Sequence, residues 1–155
     1  MLLPEHIRTV HVAEVENKIN IGGEVTSRQG FQVYRPGLER QLRNAVMERI
    51  IFDGHLKISP QDKADSVLKL ELLEFRRDPL RYNQDDTIAE YRVHVVASAS
   101  FTDRRENKSI WSTSSISGNK DFHLAGELAI SEDEAVELAL EDLSRHVVES
   151  ILEIW

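Results

Sequence analysis

The chain contains no cysteine, which excludes disulfide bridges and thiolate metal sites but leaves the compartment open. It also has no apolar run of about 18 residues or more, so the sequence predicts no membrane-spanning helix. We expect no signal peptide in the sequence as it stands, because Met1, Leu2 and Leu3 lead directly into Pro4 and Glu5.

Positive charge is scarce: 19 Lys and Arg stand against 27 Asp and Glu, for a net charge of −8. A surface of this sign repels nucleic acid and anionic membranes, so we expect no nucleic-acid partner. Any anionic ligand would need a local basic patch. The length of 155 residues favours one domain over residues 1–155, and the apolar fraction of 41% is ordinary for a soluble protein.

Two segments have the spacing of amphipathic helices. Pro36 suits the first position of the first helix, and Asp53 and Gly54 end it. Ser131 and Glu134 form an S-x-x-E capping box at the start of the second helix, which runs to the end of the chain. Their apolar stripes are Leu38, Leu42, Ala45, Val46 and Ile50, and then Val136, Ala139, Leu140, Leu143, Val147, Ile151 and Ile154.

The clearest strand signal lies between Ala89 and Thr102, where apolar and polar residues alternate. Residues 103–108 predict a turn and residues 109–118 a returning strand, which together make an antiparallel hairpin. Residues 67–75 predict another strand, with a bulge or twist near Leu72 where the alternation changes phase.

Other segments are shorter or less regular. Residues 7–12 predict the first strand, and residues 56–58 have the composition of a short one. Residues 76–86, which include Pro79, predict a charged loop. Residues 17–34 predict a long loop, within which residues 24–32 have some β character.

The order β-α-β-β-β-α predicts an α+β fold, a two-layer sandwich with two helices on one face of a mixed four-stranded sheet. The first helix serves as a right-handed crossover between parallel strands, and the last three strands form an antiparallel meander. The opposite sheet face can lie in water. We expect that face to carry His94, Ser98, Ser100 and Thr102, with Thr113 or Ser115 from the paired strand.

Known catalytic motifs are missing: there is no G-x-S-x-G, H-E-x-x-H, Walker loop or G-x-G-x-x-G. The six histidines include no pair at i, i+4 on one helix, so no metal site is predicted. The acidic run from Glu132 to Glu134 suits the first turn of a helix, where it complements the macrodipole. The sequence therefore predicts neither an enzyme nor a bound cofactor.

Basic residues form two local groups. Arg76, Arg77 and Arg81 lie in or beside one predicted loop, and Arg104, Arg105 and Lys108 occupy the hairpin turn. Because these connections lie at opposite ends of a shared strand, they make two patches. Each patch has either of two interpretations: a site for an anionic, phosphate-bearing ligand, which arginine binds bidentately, or a solvated edge or turn.

Several short motifs follow one another in the order of a known family. They are Leu3-Pro4-Glu5-His6-Ile7-Arg8-Thr9-Val10, Glu16-Asn17-Lys18, Arg35-Pro36-Gly37-Leu38-Glu39, Lys63-Ala64-Asp65-Ser66-Val67-Leu68 and Ala139-Leu140-Glu141-Asp142-Leu143. In this order the sequence resembles the LptE family of lipopolysaccharide-assembly lipoproteins. Each motif is weak alone, but together they span nearly the whole chain.

The resemblance implies a non-catalytic lipoprotein on the periplasmic side of the outer membrane. Its implied partners are an LptD-like β-barrel, which it plugs, and lipopolysaccharide. The two basic groups are then the candidate lipopolysaccharide ligands, and the open face with His94, Ser98 and Ser100 is the candidate partner surface.

Two departures from the family pattern accompany the resemblance. The lipid-anchored cysteine that the family implies is absent, so we expect the signal peptide and anchor to precede Met1. The segment from Ile19 to Tyr34 is longer than the family's usual link, and we interpret it as a lineage-specific partner contact.

A second hypothesis is a regulatory module of the cell envelope. Activators of cell-wall synthases and the amino-terminal domain of TolB also resemble this β-α-β-β-β arrangement. Such a module would act on a synthase or bind another envelope partner.

Overall fold

The computed structural model describes residues 3–19, 31–32 and 36–153. Within these ranges the chain forms two helices, α1 (Leu38–Asp53) and α2 (Glu132–Glu153). The strands, in chain order from β1 to β7, are Thr9–Val12, Glu16–Asn17, Phe31–Gln32, Lys57–Ile58, Ser66–Tyr82, Ile88–Asp103 and Lys108–His123. Neither helix has the length and hydrophobicity that a bilayer-spanning segment needs, as far as the structure describes the chain.

The strands form one mixed sheet with the order β4-β1-β5-β6-β7. β1 runs parallel to β5, with Val10 opposite Ser66, so α1 is the predicted crossover. β5, β6 and β7 form the predicted antiparallel meander. The short β2 and β3 also pair with β5, so the sheet has more strands than the four expected. Strands of two residues show no alternation in a sequence, which explains the difference.

Both helices cover the same face of the sheet, as the sequence predicts. Leu42 and Val46 of α1 and Leu143 and Val147 of α2 are fully buried in one core with the inward side chains of β5 and β6. Each such side chain contributes about 1.5–3 kcal/mol by leaving water. This burial therefore fixes the helices to one side, and neither of them covers the other face of the sheet, which we call the open face.

The predicted loop over residues 76–86 is wrong, because β5 continues to Tyr82 and only residues 83–87 connect it to β6. Pro79 pairs with Tyr91 of β6 on one side of β5. No described strand pairs with the other side of β5 at that point, and proline is tolerated for this reason. A missing N–H on an unpaired side removes no ladder bond. The three arginines of this segment therefore lie on a strand.

The bulge predicted near Leu72 is confirmed, since the register with β6 shifts between Leu72 and Glu74. The shift keeps Phe75 on the core side with Leu72, and both are buried. Without the shift, strict alternation from Leu72 would turn Phe75 to the opposite face of the sheet. An inserted residue restores the face that strict alternation would reverse.

Some element boundaries differ from their predictions. α1 begins at Leu38 with Gly37 as its N-cap at φ 82°, so Pro36 lies before the helix. Gly54 ends the helix as predicted, and its N–H donates to the Ile50 carbonyl at 3.1 Å. The Ser131 hydroxyl accepts from the Glu134 N–H at 3.1 Å, as a capping residue should. Residues 20–30, 33–35 and 154–155 lie outside the described residues, so the interpretation of the Ile19–Tyr34 segment and the place of Ile154 in the second helix stay predictions.

The open face differs from its prediction on β7. The register shifts between the pairs of Ala97 and Ala99, so Thr113 lies opposite the inward-facing Ala99. Ser112, opposite Ser100, and Asn119, opposite His94, share the open face instead. One extra residue in β7 reverses which side chains face the core. The sequence alone does not show this insertion, because it becomes visible only when the pairing with β6 is known.

Candidate functional site

The strand arginines, Arg76, Arg77 and Arg81, do not form one patch. Arg76 pairs with His94 and points to the open face, whereas Arg77 pairs with Val93 and points to the helix side. Arg81 lies near the end of β5, opposite Glu90. Because side chains alternate along a strand, adjacent arginines in the sequence separate onto opposite faces.

Each strand arginine has a carboxylate partner. Arg76 contacts Glu74 at 2.9 Å and Asp78 at 3.5 Å, both on the same face of β5. Arg81 lies 3.7 Å from Glu90, which His123 also approaches at 3.8 Å. These pairs neutralise most of the positive charge that the sequence shows in this segment.

Arg77 is the most constrained of the three. It donates to Glu132, in the first turn of α2, at 2.8 Å, and its guanidinium lies 4.8 Å from the centre of the Tyr91 ring. Tyr91 in turn stacks on Phe122 with 5.7 Å between ring centres. Arg77 therefore ties the meander to the start of α2, and this accounts for Glu132 better than a catalytic role would.

The turn cluster, Arg104, Arg105 and Lys108, differs in its surroundings. All three residues are exposed, and none has an ion pair within the ranges that the structure describes. The Arg104 guanidinium donates to the Ala64 carbonyl at 3.2 Å, which holds it near the end of the sheet without neutralising it. The turn cluster therefore presents positive charge that remains available to an anionic ligand.

A buried carboxylate holds this turn in place. Asp103 is 3% exposed, contacts Nε2 of His6 at 2.6 Å and accepts from the Arg105 N–H at 2.9 Å. Burial raises the pKa of Asp103, but the hydrogen bonds from His6 and from the N–H groups of Glu106 and Arg105 outweigh it, so the pKa is lowered overall. The ionised carboxylate thus fixes both the turn and the start of the chain.

A second carboxylate joins the same end of the sheet to β1. Asp65 accepts from the N–H groups of Arg8 and Thr9 at 3.0 and 3.1 Å, and its own N–H donates to the Thr9 hydroxyl at 2.8 Å. The N–H of Arg8 is the main cause of the lowered pKa of Asp65. The positive charge of Arg105 lowers it further.

The open face carries the predicted His94, Ser98 and Ser100, all half-buried. His94 is hydrogen-bonded to Asn119 on the neighbouring strand, and the Ser98 hydroxyl donates to Glu71 at 3.4 Å. Further along, Arg92 and Asp121 form a two-bond pair at 2.7 and 3.2 Å, which raises the pKa of Arg92. This face is polar and internally hydrogen-bonded, which suits contact with another polar surface.

The described residues show no catalytic arrangement. They contain no group of three metal-ligating side chains. A groove of about 400 Å³ between the helices is lined by Ala45, Glu48, Arg49, Phe52, Glu141 and Ser144. The Ser144 hydroxyl donates to the Leu140 carbonyl at 2.7 Å, so it is engaged within α2.

Sequence reasoning missed His6, Asp65 and Asp103. A signal for Asp103 exists, because it continues the inward-facing series of β6 that includes Ala99 and Phe101. An acidic residue in a buried position indicates a hydrogen-bonded partner. No local signal could identify His6, which lies 97 residues away in the chain.

Solved structures with the same fold come from distant relatives. A protein from Xanthomonas campestris is 13% identical with a TM-score of 0.66, over 94% of this chain and 84% of that one. A hypothetical protein from Chlamydia trachomatis is 14% identical with a TM-score of 0.57, over 94% and 95%. Lipoprotein B from Nitrosomonas europaea is 12% identical with a TM-score of 0.57, over 94% and 83%. At these identities the likeness shows the fold alone.

No curated protein has significant sequence similarity to the chain. A family model described as "Lipopolysaccharide-assembly" does match, over residues 7–153, and it therefore spans both helices and nearly the whole sheet. The motifs from Ile7 to Leu143 that carry the resemblance fall within this range. The chain belongs to the LptE family of lipopolysaccharide-assembly proteins.

Proposed function

We propose that the protein is a non-catalytic lipopolysaccharide-assembly lipoprotein that binds and plugs an LptD-like β-barrel and helps to deliver lipopolysaccharide to the outer leaflet. The observation that carries this proposal is the family match over residues 7–153. In this proposal the protein lies on the periplasmic side of the outer membrane, held by an N-terminal lipid anchor.

The open face of the sheet is the proposed contact with the barrel. His94, Ser98 and Ser100 lie on it in a row of half-buried polar side chains that no helix covers among the described residues. The inner wall of a large barrel is polar, so it matches a surface of hydroxyl and amide groups better than an apolar one. Bonds such as that between His94 and Asn119 hold the surface in a fixed shape before binding.

The turn cluster is the preferred site for lipopolysaccharide, whose phosphates are anionic. The side-chain charges of Arg104, Arg105 and Lys108 form no ion pair in the described structure, so a phosphate need not displace a carboxylate from them. Arg76, Arg77 and Arg81 remain the second candidate. A ligand there would compete with Glu74, Asp78, Glu132 and Glu90.

Co-purification tests the barrel contact. A tagged full-length protein is expressed with the LptD-like barrel of the same genome, and both are extracted in mild detergent. We expect a stable complex. We also expect His94→Ala/Ser98→Arg/Ser100→Arg to abolish it while the circular dichroism spectrum stays unchanged. Folded partners that never associate would contradict the proposal.

The same preparation tests the regulatory alternative. If the protein stimulates a purified cell-wall synthase and never binds the barrel, the envelope-module hypothesis replaces the proposal. Binding to the barrel without any effect on the synthase supports the assembly role.

A further inference from the structure

The outer edge of β7 offers backbone groups with which another strand can pair, and contacts within the fold restrict this pairing. Among the described strands, β7 pairs only with β6, so one side of its 16 residues has no strand partner. A long unpaired edge is a template on which another strand can form backbone hydrogen bonds. The question is which parts of this edge are accessible.

The first half of β7 is interrupted. Its register with β6 shifts on both sides of residues 111–113, so the longest run of regular pairing in this half is three residues. The Thr113 hydroxyl also bonds the backbone of Ser115, at 3.1 Å to its carbonyl and 3.3 Å to its N–H. Three regular residues are too few to hold an added strand, because strands are commonly about five to six residues long.

The second half is regular. The eight residues from Ile116 to His123 pair with β6 without a shift, so this stretch is long enough to accept a strand. Helix α2 closes it. The Asp142 carboxylate accepts from the Asn119 N–H at 3.0 Å, and Nδ1 of His146 lies 2.7 Å from the Ser117 carbonyl. At its far end, His123 forms an isolated bridge with Ala129.

Gly118 makes this closure possible. A β-carbon at residue 118 would lie 2.4 Å from the Ala139 carbonyl oxygen and 2.4 Å from the Leu143 nitrogen. Only glycine allows α2 to approach so closely that two of its side chains reach the backbone on either side of residue 118. Asp142 and His146, one turn apart, then occupy the outward N–H and C=O that an added strand would use.

We propose that Asp142 and His146 form an edge guard, an autoinhibitory contact that prevents β7 from pairing with the β7 of a second copy of the chain. The occupant that the guard excludes is a second copy, because two identical antiparallel edges pair about a two-fold axis. Such pairing presents the same eight-residue stretch on both sides and needs no other partner.

Two substitutions open the edge. The variant Asp142→Ala/His146→Ala leaves the inward-facing side chains of α2 and the pairing with β6 intact. We expect the unaltered protein to stay monomeric in sedimentation over a concentration series. The variant should dimerise at a concentration at least about tenfold below the highest one at which the unaltered protein is still monomeric. The matched control is Glu137→Ala/Glu141→Ala, at two exposed positions one turn apart on α2, which is expected to remain monomeric.

A third substitution assigns the dimer to this edge. Asn119→Pro removes one outward N–H and the side-chain bond to His94 while leaving the backbone bonds to β6, so adding it to the open variant should restore the monomer. A folded variant that stays monomeric, a dimer that survives Asn119→Pro, or an unaltered protein that already dimerises would each overturn the proposal.

Hydrogen exchange gives a test that does not depend on the variants folding. In the unaltered protein the Asn119 amide, which donates to the Asp142 carboxylate, should exchange slowly. Rapid exchange of this amide would show that the guard does not form in solution.

Discussion

The strand arginines and the turn cluster look alike in the sequence and differ in the structure. Each group places three cations within six residues of chain. The side chains of Arg76, Arg77 and Arg81 all contact carboxylates, whereas those of Arg104, Arg105 and Lys108 form no ion pair among the described residues. The number of cations in a segment therefore does not give the positive charge that a ligand can reach. Carboxylates from other parts of the fold pair with some of these cations and not with others. The strand arginines are ion-paired within the fold, and the side chains of the turn cluster are not ion-paired among the described residues.

The largest expected effect is on lipopolysaccharide binding by the turn cluster. We expect Arg104→Glu/Arg105→Glu/Lys108→Glu to raise the dissociation constant for purified lipopolysaccharide about thirtyfold, or ~2 kcal/mol, because exposed cations lose their charge-assisted bonds to phosphate. Binding is measured by titration at low ionic strength.

A matched control separates this site from overall charge. Lys18→Glu/Lys69→Glu/Lys120→Glu changes the net charge equally at other exposed positions. Vesicles of phosphatidylglycerol serve as a second probe. If both triple variants weaken binding equally, the difference between the two groups of cations disappears.

Arg77 should show the next largest effect, and on stability. Arg77→Ala removes the ion pair with Glu132 and the contact with the Tyr91 ring. We expect the free energy of unfolding to fall by about 1–2 kcal/mol, because the site is only partly exposed. Urea denaturation measures the change, and lipopolysaccharide binding by the folded variant should be unchanged. Loss of binding without loss of stability would move the ligand site to the strand arginines.

The lowered pKa values of Asp103 and Asp65 predict an acid-dependent weakening beside the turn cluster. The folded-state pKa of each carboxyl lies below its ordinary value of 3.8, so the stability that each contributes is present above that value and is lost as pH falls through the folded pKa. We expect Asp103→Asn to lower the free energy of unfolding by about 1 kcal/mol at pH 7 and to reduce the decline below about pH 4. Parallel pH profiles for the variant and the unaltered protein would contradict this expectation.

The smallest effect should come from Arg81. Its side chain is 70% exposed and lies 3.7 Å from Glu90, so Arg81→Ala should change the free energy of unfolding by less than about 0.5 kcal/mol. The measurement is the same urea titration. A change as large as that of Arg77→Ala would show that burial does not distinguish the two arginines.

Periodic features of the fold were predictable. The alternation in β6 and the apolar stripes of both helices identify the core, because burial of one face imposes a period. The extent of β5 was not predictable, because Arg76, Arg77 and Asp78 are polar and their place in a strand depends on pairing with β6. For the same reason Thr113, one of two alternatives for the open face beside Ser115, lies on the other face, since one inserted residue reverses a strand without leaving a local mark.

The residues of the candidate site were predictable from the sequence, but which of their charges are ion-paired was not. The sequence identifies six cations and an open face with His94, Ser98 and Ser100. It cannot show that Glu132, 55 residues away, contacts Arg77, or that His6 contacts Asp103. Such long-range contacts decide which cations remain free.

The parallel pairing of β1 with β5 has a consequence for the folding reaction. β5, β6, β7 and α2 follow one another through short connections, whereas Val10 must find Ser66 across the whole α1 crossover. Closing a long loop costs entropy before its contacts form, so we expect the meander and α2 to be structured in the folding transition state and β1 to join afterwards. Φ-values near zero for Val10→Ala and well above zero for Val95→Ala would be the kinetic signature of that order.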